Sequence, residues 1–78
     1  MEDYVNKKDS NGWTPIHEGA RSGHKNIIEV LVESGADINA KTNAGHTALW
    51  WSDHQNGEGS PVSQFLRSLG ALKLGPEL

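Results

Sequence analysis

Histidine, aspartate, serine and tryptophan are the side chains here that could do chemistry, and their spacing limits what that chemistry is. His17, His46 and His54, with Asp53 beside the last, are donors of the kind that hold zinc. Zinc motifs use tight spacings such as His-x₃₋₅-His, or a second donor at i+4 on one helix face. Four beyond His17 stands Arg21, and His46 and His54 lie eight apart. No metal is expected. None of Ser10, Ser22, Ser34, Ser52, Ser60, Ser63 and Ser68 sits in a Gly-x-Ser-x-Gly turn, so no nucleophile is presented. Gly57-x-Gly59 follows no predicted strand and precedes only a short helix; it reads as a flexible insertion, and no cofactor is expected. Trp13, Trp50 and Trp51 remain. Exposed indoles anchor protein contacts because they bury large area at low entropic cost.

The elements that position these residues must come from a small chain. With 78 residues there is room for one small domain, which buries only about 60% of its unfolded surface. Hydrophobic residues make up 35% and charged residues 22%, so no sizeable core or enzyme-like pocket is expected. The lack of Cys rules out disulfides, a thiolate zinc site and a cysteine nucleophile together, and fits cytosol or nucleus by default. Seven Lys+Arg against ten Asp+Glu give a net charge of −3, and Lys7-Lys8 is too short a patch to hold nucleic acid. No apolar run approaches the roughly 20 residues that span a bilayer. Met1-Glu2-Asp3 does not open a signal peptide, and Pro76-Glu77-Leu78 lacks the ER-retention pattern.

An internal repeat supplies the architecture. Gly12 and Gly45 are 33 apart, as are Thr14 and Thr47, and Val5-Asn6-Lys7-Lys8 corresponds to Ile38-Asn39-Ala40-Lys41. Ser34-Gly35-Ala36 recurs as Leu69-Gly70-Ala71 at an offset of 35, which places a two-residue insertion in 56–60. Within the first copy, Thr14 caps and Pro15 opens a short helix that ends by Gly23. A second helix runs from about His24 to Ser34, with Gly35 as its stop. Ile27, Val30 and Leu31 share one face of it, and Ile28 with Val32 forms a second apolar strip. A helix apolar on two sides is expected to be covered on both. Residues 36–45, with Asp, Asn and Gly at turn positions, are expected to form a hairpin-like excursion. In the second copy Val62, Phe65, Leu66 and Leu69 keep the inner face, whereas Ile28 aligns with Ser63 and Val32 with Arg67. A face turned polar has no further neighbour, so the second copy is expected to seal the stack with Ser63 and Arg67 toward water. The opposite side of the first copy has only 1–5 to cover it, so an upstream domain or repeat of the same polypeptide is expected there.

Asp9-x-x-Gly12-x-Thr14-Pro15-Ile16-His17-x-Gly19-Ala20-x-x-Gly23-His24, followed by Ile27-Ile28-x-Val30-Leu31-Val32-x-x-Gly35-Ala36-Asp37-Ile38-Asn39-Ala40, resembles a complete ankyrin repeat. The second copy resembles it less closely: Ala48 replaces the proline, Trp50 the histidine, and Ser52-Asp53 the small apolar pair. The resemblance implies an all-α solenoid fragment of two helix-turn-helix units joined by a hairpin-like loop. Residues 1–8 would be the remnant of a preceding junction, 9–41 one repeat, 42–74 a divergent capping repeat and 75–78 a tail. It also implies a non-catalytic module that binds a protein partner through positions the fold leaves free. These are Asn11, Trp13, Asn43 and His46 on the fingers, with Arg21, Ser22, His54 and Gln55 on the first helices. His17 and His24 would be structural turn hydrogen-bonders. Trp13 would either meet a partner or pack on its neighbour repeat, for example on Tyr4 or His46, Trp50 would be buried, and Trp51 would face the concave groove or an upstream partner. The stretch from Leu49-Trp50-Trp51 through Gly70-Ala71 to Leu74-Gly75-Pro76-Glu77-Leu78 resembles the ankyrin tails joined to prolyl-hydroxylase-like dioxygenases in some algal proteins.

Overall fold

The computed structural model describes residues 4–75 and holds four helices: α1 (Pro15–Ser22), α2 (Lys25–Glu33), α3 (Ala48–Asn56) and α4 (Pro61–Ser68). Met1–Asp3 of the segment expected to cover the first pair, and Pro76–Leu78 of the tail, lie outside the described residues. No strand occurs among the described residues. Each helix starts where the sequence signals it. Thr14 and Thr47 precede α1 and α3 in extended conformation, Thr47 Oγ1 accepts the Trp50 N–H, and Ser60 Oγ accepts the Ser63 N–H at the start of α4. Pro15 and Pro61 occupy first-turn positions where a missing N–H costs nothing. Gly23 ends α1 in the left-handed region at φ 74°, its N–H bonded to Ala20 O.

The two helix pairs stack by translation, and the hydrogen bonds repeat with the sequence. Asp9 N–H donates to Trp13 O at 2.9 Å, as Thr42 N–H donates to His46 O at 2.9 Å. Asn6 Oδ1 accepts the Asp37 N–H at 2.7 Å, as Asn39 Oδ1 accepts the Leu72 N–H at 2.8 Å. The fingers are joined tip to tip: Asn43 N–H donates to Asn11 O and the Asn43 side-chain amide to Ser10 O. Gly12 permits this approach, because a Cβ there would lie 2.6 Å from the Asn43 nitrogen.

Ile16, Ala20, Ile28, Ala48, Leu49, Val62 and Leu66 form the core between the pairs, flanked by Val32 and Ile38. Ile28 is fully buried, whereas Ile27 on the same helix is 49% exposed and Val30 61%. In the second pair the matching Val62 is buried and Phe65 half-buried, with the Lys25 ammonium 5.7 Å from the Phe65 ring. One face thus meets protein in the second pair and water in the first.

The expectation that Ser63 faces water is corrected: Ser63 is 0% exposed, although Arg67 does lie at the surface. The reason is a paired exchange. In the first pair the Ile28 side chain lies against Gly19, 3.0 Å from where a Cβ would sit. In the second, Ser52 stands for Gly19 and Ser63 for Ile28, and their hydroxyls bond at 2.7 Å. The pattern continues outward. Ala20, Val32 and Ile38 become Asp53, Arg67 and Lys73, and both cations pair with the buried Asp53 carboxylate. An apolar back on the first pair is therefore a hydroxyl and ion-pair network on the second.

Candidate functional site

The residues singled out on the fingers and first helices do not form a cleft; they border a ledge of aromatic rings. Trp13 reaches from its finger to Trp51 on α3, with ring centroids 4.7 Å apart, and the Arg21 guanidinium sits 5.8 Å above the Trp13 ring. Trp50 lies between two imidazoles, His46 at 4.1 Å and His54 at 4.8 Å in a stacked arrangement. Trp51 contacts both ends, edge-on to Trp50 at 5.0 Å and to His46 at 5.1 Å. Trp13, Arg21, His46 and His54 are thus brought together, and Trp50 and Trp51 are what connect them. Asn11 and Asn43 meet at the finger tips through the bonds given above. Ser22 and Gln55 are exposed near the ends of α1 and α3.

One of these rings is placed differently from the sequence expectation: Trp50 is half-buried rather than inside the core. Trp13 packs on the neighbouring repeat, the second of its two expected placements, against Trp51 there and edge-on to His17, 5.7 Å away. The physical cause for Trp50 is seen at its counterpart. His17 is buried, accepts the Thr14 N–H at Nδ1 (2.9 Å) and bonds Ala40 O through Nε2 (2.8 Å). That geometry requires the neutral Nε2–H tautomer, and burial lowers the imidazole pKa below its ordinary value. An indole has one donor N–H and no acceptor nitrogen to take the Thr47 N–H as Nδ1 takes that of Thr14, and Trp50 lies on the ledge instead. Trp50 and Trp51 were absent from the expected binding set. Their signal was two adjacent large aromatics on a helix that has no clear apolar face.

The titratable groups with displaced equilibria serve the fold. His17 is the cap relay described above. Burial alone would raise the Asp53 carboxyl, but the neighbouring Ser63 hydroxyl, Arg67 and Lys73 together bring it below the usual range. Among the described residues no cluster of three or more His, Asp or Glu could hold a metal ion. No helix among them is long and apolar enough to cross a membrane.

Residues 11–43 match the ankyrin-repeat family model. An ankyrin repeat-containing protein of Schizosaccharomyces pombe is 44% identical over 45 residues, covering 58% of this chain and 22% of that protein. The human SH3 and multiple ankyrin repeat domains protein 2 is 48% identical over 42 residues, 54% of this chain and 2% of the relative. An ankyrin repeat protein of Neisseria meningitidis is 36% identical over 47 residues, 60% and 19% respectively. The matched residues are an ankyrin repeat, and the described chain has the architecture of an all-α ankyrin-repeat fragment. The chain corresponds to less than a quarter of the length of each of these relatives. Ankyrin repeats act generally as protein–protein interaction modules, and proteins built from them are generally non-catalytic.

Proposed function

We propose that this chain is a non-catalytic protein-recognition module whose partner lies across the aromatic ledge, gripped by Trp13 and Arg21 and bordered by Asn11, Ser22, Asn43, His46, His54 and Gln55. The observation that carries the reading is the continuous run of rings from the first finger to α3, with a guanidinium already resting on Trp13. Half-buried indoles joined to an arginine are the composition of interface hot spots. Their preassembly on two helices and two fingers limits the ordering cost of binding. Trp13→Ala and Arg21→Ala are expected to weaken capture of a binder selected on the wild-type chain by at least tenfold, with the circular dichroism spectrum unchanged. Unaltered capture would overturn the assignment.

A second reading rests on a separate observation. Ile27 and Val30 are exposed where Val62 and Phe65 are covered, while the far side carries the Asp53–Arg67–Lys73 network. On this reading the chain is also a C-terminal cap and docking segment, whose open side takes an upstream helix pair or domain, that of an enzyme included. Support comes from within the chain, since the second pair is seated on the first in the arrangement such a unit would repeat. The isolated chain would then self-associate or fold loosely. Ile27→Ser/Val30→Ser would make it monomeric in sedimentation. A cooperative monomeric melt of the unaltered chain would count against the reading.

A further inference from the structure

The segment after α4 aligns with residues 37–40 of the first pair but does more than they do, and we infer that it is a positioning strap for the ledge, in place of the histidine that Trp50 displaced. In the first pair an imidazole joins the Thr14 N–H to the Ala40 carbonyl. In the second there is no imidazole, and the chain closes the gap itself. Thr47 N–H donates to Leu74 O at 2.9 Å, the Leu74 N–H donates to Thr47 Oγ1 at 3.1 Å, and Thr47 Oγ1 donates to Leu72 O at 2.7 Å. Lys73, between the two leucines, is held on Asp53 and Glu58 at 3.2 and 3.3 Å. The backbone then passes flat against the ledge. A Cβ on Gly75 would come within 2.6 Å of Trp50 Cδ1, 2.7 Å of its Nε1 and 2.8 Å of His46 Cδ2. Gly75 is not in the left-handed region, so space rather than backbone strain bars a side chain there.

Three sides of Trp50 are consequently occupied: imidazoles lie against the ring and the strap against its Cδ1–Nε1 edge. Trp50 is a pillar that holds His46 and His54 in place, and Gly75 fixes the pillar. The specificity of the ledge then depends on a segment outside the four helices. This rests on the ledge being the recognition face, but the strap itself can be tested without a partner.

The experiment is a substitution cycle on the full chain read by NMR. Stacking on an indole shifts the ring protons of His46 and His54 upfield. Gly75→Ala is expected to remove most of that shift while helical content stays unchanged, and Gly59→Ala, where a Cβ would meet open space, is expected to leave it intact. Trp50→His restores the residue type of position 17, removes the indole part of the clash while leaving His46 Cδ2, and supplies an Nδ1 acceptor for Thr47 and an Nε2 donor for the tail. In that background Gly75→Ala is expected to lower the melting midpoint clearly less than it does in the wild type, the residual loss coming from the contact with His46. Two results would overturn the inference: unchanged histidine shifts in Gly75→Ala, or an equal loss of melting midpoint in both backgrounds. Either would leave the recognition reading standing, because that reading fails only through loss of sensitivity to Trp13 and Arg21.

Discussion

Ser52 and Ser63 show how a single buried contact can change chemistry while keeping its place. A glycine against an isoleucine in the first helix pair becomes two hydroxyls bonded at 2.7 Å in the second. Volume moves from one residue to the other, so the two positions are coupled. Ser63→Ile alone overpacks and is expected to cost about 1–3 kcal/mol. Adding Ser52→Gly should recover most of that loss, as denaturant titration of the single and double variants would read. His17 carries a second residue-scale consequence. Its folded pKa lies below 6.5, so the unfolded chain binds the extra proton first. Stability is complete above about pH 6.5, falls as pH drops through the folded value, and is level below it until carboxylates protonate. The contribution of Asp53, whose carboxyl is also held low, is present above its ordinary value of 3.8 and is lost as pH falls through the folded pKa. Thermal melts across pH 5 to 8 should show the first step in the wild type and lose it in His17→Gln.

At the scale of elements, boundaries were the most legible part of the sequence. Thr14-Pro15, Gly23 and Gly35 mark the limits of α1 and α2 through dihedral and hydrogen-bond requirements that depend on nearest neighbours only. The placement of two insertion residues in 56–60 is likewise a matter of register, and the loop between α3 and α4 lies there. Faces were less legible. An aligned Ile28-to-Ser63 change looks like a surface signal, because hydropathy alone cannot see that Ser52 waits opposite as a partner. The sequence places Trp50 inward for a similar reason: alignment with His17 gives a position, while the slot there fits a ring with an acceptor nitrogen. Caps give a direct element-scale test. Ser60→Ala removes the acceptor for Ser63 N–H and is expected to cost about 1 kcal/mol. Thr47→Ala should cost more, since the same hydroxyl caps α3 and receives the strap.

At the scale of the whole molecule, the two pairs share one plan and differ in what each presents outward. The first has an apolar side open to water at Ile27 and Val30, and the second has a polar back tied by Asp53, Arg67, Lys73 and Glu58. Between them runs the aromatic ledge, so three surfaces with different chemistry meet on a body of 36 × 25 × 20 Å. Their separation yields a sharp contrast on one helix. Ile27→Ser and Val30→Ser remove side chains that are about half or more open to water and are expected to cost no more than about 1 kcal/mol each. Ile28→Ala, one position away, empties part of the core and should cost about 2–5 kcal/mol.

The most direct measurement is titration calorimetry with a peptide chosen from a display library on the wild-type chain. Its affinity would be compared for wild type, Trp13→Ala/Arg21→Ala and Ile27→Ser/Val30→Ser. A ledge that recognises partners predicts at least a tenfold loss in the first variant and an unchanged constant in the second. Full affinity in the Trp13/Arg21 variant, with the loss appearing at Ile27 and Val30 instead, would contradict the account.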